Sequence, residues 1–163
     1  IAGKVGDEKD MANQWNKYEE AAKKVGKKPS DRKWRVGRSV LITSSDSEAK
    51  EILDNPEGVF SHYCLYLNTV SKLASGTLGK DINLNKELPE AITKAKNLII
   101  VGNKKTVTEK LIQFIDQVGP FGTLLLTGHD VGNSKKLWED TFSERSNSIQ
   151  PILCKYIEQK FKI

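Results

Sequence analysis

The chain has 163 residues, 37% of them apolar and 29% charged, with a formal net charge of +5. That is long enough for one domain with a real core, and the balance excludes a disordered or membrane-embedded class. No apolar run approaches the roughly 20 residues of a membrane span, and no signal peptide is evident. Cys64 and Cys154 lack metal-ligand spacing and are too few for a disulfide scaffold, so no metal is expected and a reduced, cytoplasmic setting is. Residue 1 is Ile and Met11 sits inside a helical pattern, so the chain reads as residues 1–163 of a single partial domain whose N-terminal half is missing.

Met11, Trp15, Tyr18, Ala22 and Val25 step by four and three, which predicts a helix from about Glu8 to Val25 with Trp15 and Tyr18 as core contacts. Gly26 and Pro29 stop it. Lys23, Lys24, Lys27, Lys28, Arg32, Lys33, Arg35 and Arg38 crowd the end of that helix and the turn beyond. Such a cluster is either a phosphate or nucleic-acid footprint or a solvated helix C-terminus. The second reading is preferred because no nucleic-acid motif accompanies the cluster, and no nucleic-acid partner is expected.

A strand is predicted at Trp34–Thr43, with Trp34, Val36, Val40 and Ile42 on one face and Arg35, Gly37, Ser39, Leu41 and Thr43 on the other. Arg38 interrupts the apolar face. Ser45 and Glu48 then form a capping box ahead of Ala49, Ile52 and Leu53. Val59, Phe60, Tyr63, Leu67, Val70 and Leu73 mark a further helix that ends at Gly76 and Gly79. His62 lies within it and reads as a core or half-exposed histidine. Asp81–Leu88 is expected to be a loop and Pro89–Lys96 a short helix.

Asn97–Val101 is the second buried strand. Gly102-Asn103-Lys104-Lys105 turns it into a helix with Val107, Leu111, Phe114 and Val118 on its core face, capped by Thr106 with Glu109 or by Asn103. A strand, a glycine turn and a helix N-terminus make an arrangement suited to anions, although a single glycine is a weak motif. The third strand follows Gly119-Pro120 and is expected to be buried on both faces. It ends in Thr127-Gly128-His129-Asp130, on the side of the sheet where ligand chemistry sits. Leu137, Trp138, Phe142, Ile149, Leu153, Tyr156 and Ile157 outline a terminal helical region that Pro151 should start or kink.

Buried strands alternating with amphipathic helices point to an α/β fold with a parallel sheet. Three strands cannot close a barrel. By count they match the last third to half of an eight-stranded one, and an open three-layer sheet is the alternative.

Four blocks carry a resemblance. They are Gln14-Trp15 through Tyr18-Glu19-Glu20-Ala21-Ala22; Trp34-Arg35-Val36 through Ile42-Thr43 with Asp46 and Glu48-Ala49; Val101-Gly102 through Val107-Thr108-Glu109-Lys110-Leu111; and Phe121-Gly122-Thr123-Leu124-Leu125-Leu126-Thr127-Gly128-His129-Asp130. In this order they resemble the C-terminal half of the bacterial luciferase-like, flavin-dependent monooxygenases, nearest the limonene-monooxygenase-like branch. The resemblance implies the C-terminal portion, about strands six to eight with their helices, of a (β/α)8 TIM barrel. It also implies an oxidoreductase that uses reduced FMN, supplied by a separate flavin reductase, and dioxygen to oxygenate a small organic substrate. Asn103-Lys104-Lys105 stands where the family often carries Thr-Pro-Glu.

In such a barrel His129 and Asp130 are the candidate catalytic pair, placed to hydrogen-bond the substrate or to act as acid and base. Thr43, Gly102, Thr127 and Gly128 are the candidate cofactor-binding residues. The plainer reading makes Asp130 a helix cap and His129 a rim residue. Most of the flavin pocket would lie in the missing strands, so the chain alone is expected to be inactive. Rival expectations are a deazaflavin-dependent oxidoreductase of the same superfamily and a non-catalytic half-barrel that forms a homo-oligomer through its open sheet edges.

Overall fold

The computed structural model describes residues 7–77, 83–129 and 135–161. Asp130, the Gly79 stop and part of the loop expected from Asp81 lie outside these residues. Helix α1 (Glu8–Lys24) is capped by the Asp7 carboxylate, which accepts from the Asp10 N–H at 2.8 Å. A single tight turn at Asp31–Lys33 leads into strand β1 (Arg35–Ile42), one residue shorter at each end than the pattern suggested. Helices α2 (Asp46–Asp54), α3 (Val59–Ala74) and α4 (Leu84–Leu98) follow, then strand β2 (Ile99–Gly102), helix α5 (Lys104–Val118) and strand β3 (Thr123–Thr127). Helices α6 (Lys135–Glu144) and α7 (Gln150–Phe161) are joined by a π turn at Arg145–Ile149. That turn ends two residues before Pro151, which lacks the N–H that a regular helix uses.

The sheet is parallel, in the order β2-β1-β3. Three consecutive strands of a barrel would place β2 in the middle with all helices on one face. Here β1 is central, and helices cover both faces. One core joins Met11 of α1, Val36, Val40 and Ile42 of β1, and Val107, Leu111 and Phe114 of α5. The other joins Leu41 of β1 and Val101 of β2 to Leu53 of α2, Phe60 and Cys64 of α3, and Ala91 and Ala95 of α4. Two crossovers of one hand that travel in opposite directions must lie on opposite faces. The first runs outward from β1 to β2 and the second returns past β1 to β3, so the two layers follow from the strand order.

Several expectations change with this architecture. β3 is an edge strand, with Thr123 exposed and the rest only half-buried, rather than a strand covered on both sides. The loop and short helix expected between Asp81 and Lys96 give way, from Asn83 on, to one helix through Pro89, and Asn97 and Leu98 belong to that helix instead of to β2. Asn83 caps it through the Lys86 N–H. Helix α3 turns Phe60, Ser61, Cys64 and Asn68 inward, leaving Val70 and Leu73 exposed. Its Asn68 accepts from Lys94 at 2.5 Å and donates to Glu87 at 3.0 Å, which ties α3 to α4 through polar groups. Tyr18 is exposed and so is His62, neither being a core contact. Arg38 is no part of a solvated cluster: it is 2% exposed, bonded to Glu8 of α1 at 3.0 Å, and lies over the Phe114 ring.

Candidate functional site

The register separates the expected site residues into two groups. β2 pairs with the carboxyl half of β1, from Ser39↔Ile99 to Ile42↔Gly102, whereas β3 pairs with the amino half, ending at Ser39↔Thr127. Thr127 therefore stops three residues below the end of β1, roughly 10 Å along the strand. Thr43 and Gly102 meet at the upper level, and Thr127, Gly128 and His129 lie at the lower one.

At the upper level the Thr43 N–H donates to the Gly102 carbonyl at 2.9 Å, extending the β1–β2 ladder. The Thr43 side chain is buried and its hydroxyl donates to the Ser45 carbonyl at 2.8 Å. A β-carbon on Gly102 would fall 2.7 Å from the Thr106 methyl and 2.9 Å from an Asp46 carboxylate oxygen, so glycine is required by close packing. The reason is Asp46. From the first turn of α2 its carboxylate accepts the Asn103 backbone N–H at 2.9 Å, the Asn103 side-chain amide at 3.0 Å and the Thr106 hydroxyl at 2.9 Å. Asn103 itself caps α5 by accepting from the Thr106 N–H, so Thr106 and Glu109 form no capping box. The α5 N-terminus, expected as an anion site, is thus filled by an anion from within the chain. These bonds, that from the Asn103 N–H foremost and the Thr106 hydroxyl next, hold the Asp46 carboxyl below its ordinary pKa.

The neighbouring cap follows a related pattern. Ser45 caps α2 through the Glu48 N–H, but the Glu48 carboxylate reaches back to Ser44, accepting from its N–H at 2.8 Å and its hydroxyl at 2.6 Å. A crevice of about 600 Å³ opens between the carboxyl ends of β1 and β2 and helix α6, its wall carrying Lys104, Lys105 and Lys136 together with Glu48, Asp140 and Glu144. Lys104 and Glu144 pair at 3.3 Å across it.

The lower group forms a different environment. His129 Nε2 and the Ser39 hydroxyl lie 2.7 Å apart, with donor and acceptor set by the ring tautomer. The imidazole packs edge-on against Tyr63, at 4.5 Å between centroids, and against Phe60, at 5.3 Å. Beside it lies a mainly apolar cavity of about 320 Å³, walled by Tyr63, Cys64, Leu67, Leu98 and Ile99, with Ser39, Ser71 and Thr127 among its polar groups and Arg38 and Lys94 among its lining residues. Burial raises the pKa of the Cys64 thiol and of the Tyr63 phenol, so both stay protonated at neutral pH. Gly128 borders open space on the side where a β-carbon would stand. Chemically, the cavity can hold a small, mainly apolar molecule, with several hydroxyl groups in its wall and the His129 imidazole bonded to one of them, Ser39.

Ser39, Phe60 and Tyr63 are site residues that the sequence did not single out. Ser39 was legible only as part of a small, polar strand face. Phe60 and Tyr63 were legible only as core positions of a helix, because nothing local to α3 records that His129 comes to rest on it.

No family model matches the chain. It is similar to 3,6-diketocamphane 1,6-monooxygenase of Pseudomonas putida, with 26% identity over 143 residues that cover 86% of this chain and 38% of that protein. Its fold matches part of the oxygenating constituent of 3,6-diketocamphane monooxygenase from the CAM plasmid of Pseudomonas putida, a type II Baeyer–Villiger monooxygenase solved in complex with FMN. There the TM-score is 0.62 at 24% identity, covering 89% of this chain and 40% of the other. The chain thus spans about two fifths of the length of the relatives it matches.

Proposed function

We propose that this chain is part of a flavin-dependent monooxygenase of the luciferase-like kind, contributing about strands six to eight of a (β/α)8 barrel. In this reading the complete protein takes reduced FMN from a separate flavin reductase and oxygenates a small organic substrate with dioxygen. The observation that carries the reading is the similarity to a monooxygenase over 143 residues, nearly the whole of this chain. In a barrel the strand preceding β1 would take the edge that β3 occupies here, and β3 would move to the free edge of β2.

The residues present do not make a flavin site by themselves. At the α5 N-terminus the Asn103 N–H and the Thr106 hydroxyl are bonded to Asp46, and the Thr43 hydroxyl is bonded to Ser45. Thr43 and Gly102 shape the β1–β2 end and are the proposed cofactor neighbours there in the complete protein, while Thr127 and Gly128 border the lower site. The chain's proposed contribution is on the substrate side, through His129 after β3; its contact with Ser39 belongs to the β1–β3 neighbourhood of this chain and would be replaced in the barrel. Asp130, next in sequence, is the proposed partner of His129 in acid–base work.

Oxygen consumption by the complete protein with reduced FMN and a series of small cyclic and acyclic ketones tests this. We expect saturable flavin binding and turnover, with His129→Ala lowering turnover by about 100-fold while flavin affinity is retained. Failure of the complete protein to bind reduced FMN or to consume oxygen with any substrate would sink the reading. The 163-residue chain alone should keep its melting temperature when reduced FMN is added. A clear rise would show that the flavin site is complete within it.

A further inference from the structure

The basic stretch 23–38 is given no role in that reading. It carries eight lysines and arginines against one carboxylate, more net charge than the +5 of the whole chain, so the remainder of the molecule is net negative. Arg38 is withdrawn into the core, and Lys23 pairs with Glu19 on the helix surface at 3.1 Å. Lys33 and Arg35 are exposed, with no carboxylate within 4 Å among the described residues.

In the sequence the stretch holds a single aromatic residue, Trp34 between Lys33 and Arg35, and no nucleic-acid motif. The fold adds two more rings from another element. Helix α1 lays Trp15 on Trp34, with ring centroids 5.0 Å apart and planes 25° from parallel, and Tyr18 adjoins Trp15 at 5.4 Å. These three rings, with Ser30, Lys33 and Arg35, line a groove of about 520 Å³ at the amino end of β1. Tyr18 remains 55% exposed, so the platform still has a ring surface open to a stacking partner.

Each part of the groove narrows the ligand. A planar π system gains from stacking on exposed tyrosine and tryptophan rings, whereas an acidic peptide would engage the cations and leave the rings bare. Two exposed cations beside the rings suit phosphate oxygens. The groove also lies at the opposite end of β1 from Thr43 and the crevice, so it is separate from the site described above.

We propose that this groove binds a nucleotide unit, with the base stacked on Tyr18 and the Trp15–Trp34 pair and the phosphate held by Lys33 and Arg35. A free mononucleotide and a single-stranded nucleic acid present the same chemistry, and they are separated by experiment. The 163-residue chain is titrated with AMP and, separately, with a short oligothymidylate, following tryptophan fluorescence; adenosine is the control without phosphate.

Saturable quenching is expected with at least one of the two ligands. Tyr18→Ala and the double variant Lys33→Glu/Arg35→Glu should each weaken it by about tenfold or more. All three side chains are exposed, so melting temperatures should not change. Lys155→Glu, an exposed change on α7, should leave the affinity as it was. Saturation by AMP assigns the groove to mononucleotides. Saturation by the oligothymidylate alone, weakening as salt is raised, assigns it to a strand. The proposal is overturned by the absence of saturable quenching with both ligands, by adenosine binding as tightly as AMP in an AMP-binding groove, or by equal losses from the Lys155 and Lys33/Arg35 changes.

Discussion

Asp46 stands in the first turn of one helix while its carboxylate occupies the N-terminus of another, so a single side chain joins α2, the Gly102 turn and α5. Its pKa is lowered because every bond it accepts favours the ionised form, first from the Asn103 N–H, then from Thr106, with Lys110 adding a favourable charge. A carboxyl whose pKa is lower in the folded than in the unfolded state stabilises the fold above the unfolded value of about 4. That contribution is lost as pH falls through the folded value. Asp46→Asn should therefore melt below the parent chain at neutral pH, with the gap narrowing as pH drops under about 4. Thermal melts across that range would show it, and a gap independent of pH would assign the loss to packing alone. The residue was invisible as an anchor in the sequence: Asp46 reads as an ordinary acidic residue in a first turn, and its partners are 57 and 60 positions away.

At the scale of elements, the register leaves the end of β1 without a strand on one side. β3 stops opposite Ser39, so Ile42 has a backbone N–H and carbonyl on the open edge. Thr141 of α6 takes them, accepting from the Ile42 N–H at 3.0 Å and donating to its carbonyl at 3.3 Å. Thr141 is fully buried, so this hydroxyl substitutes for strand pairing where no water reaches. Thr141→Val keeps the shape and strands the Ile42 N–H; we expect a loss of about 1–3 kcal/mol in denaturant unfolding. A loss below about 0.5 kcal/mol would mean that α6 docks through Leu137 and Trp138 instead.

Helix positions were largely legible from apolar spacing, and α5 shows why. Val107, Leu111, Phe114 and Val118 are all buried, because one helix face met one sheet face. α3 was legible as a helix but not as to its inward side. Two of its four buried residues, Ser61 and Asn68, are polar and find partners in the Asn55 carbonyl and in α4. Hydrophobic spacing carries no record of such bonds.

For the whole molecule, strand order is the property that the chain's local patterns leave open. The order β2-β1-β3 and a barrel arc with β2 central use the same strands, the same helices and the same parallel pairing. In the 163-residue chain, cross-strand nuclear Overhauser contacts should link the backbone around Val36 to that around Leu124, which are register partners. Adjacent strands are about 4.8 Å apart, whereas strands separated by a third would be about 10 Å apart and silent. Contacts from β3 to β2 in place of β1 would overturn the order. In the complete barrel proposed above, that second pattern is the expected one.

What the sequence determined by itself is therefore local and periodic: three strands, amphipathic helices between them, an α/β class, and a resemblance borne by short ordered blocks. Those features rest on interactions within about four residues or on the apolar face of one element. The tertiary structure alone decided which strand is central, that Arg38 is buried on Glu8, and that Asp46 fills the α5 N-terminus. It also decided that His129 meets Ser39, Phe60 and Tyr63. Each depends on groups from distant parts of the chain meeting across the fold, where burial and hydrogen-bond geometry, not spacing, select the partner.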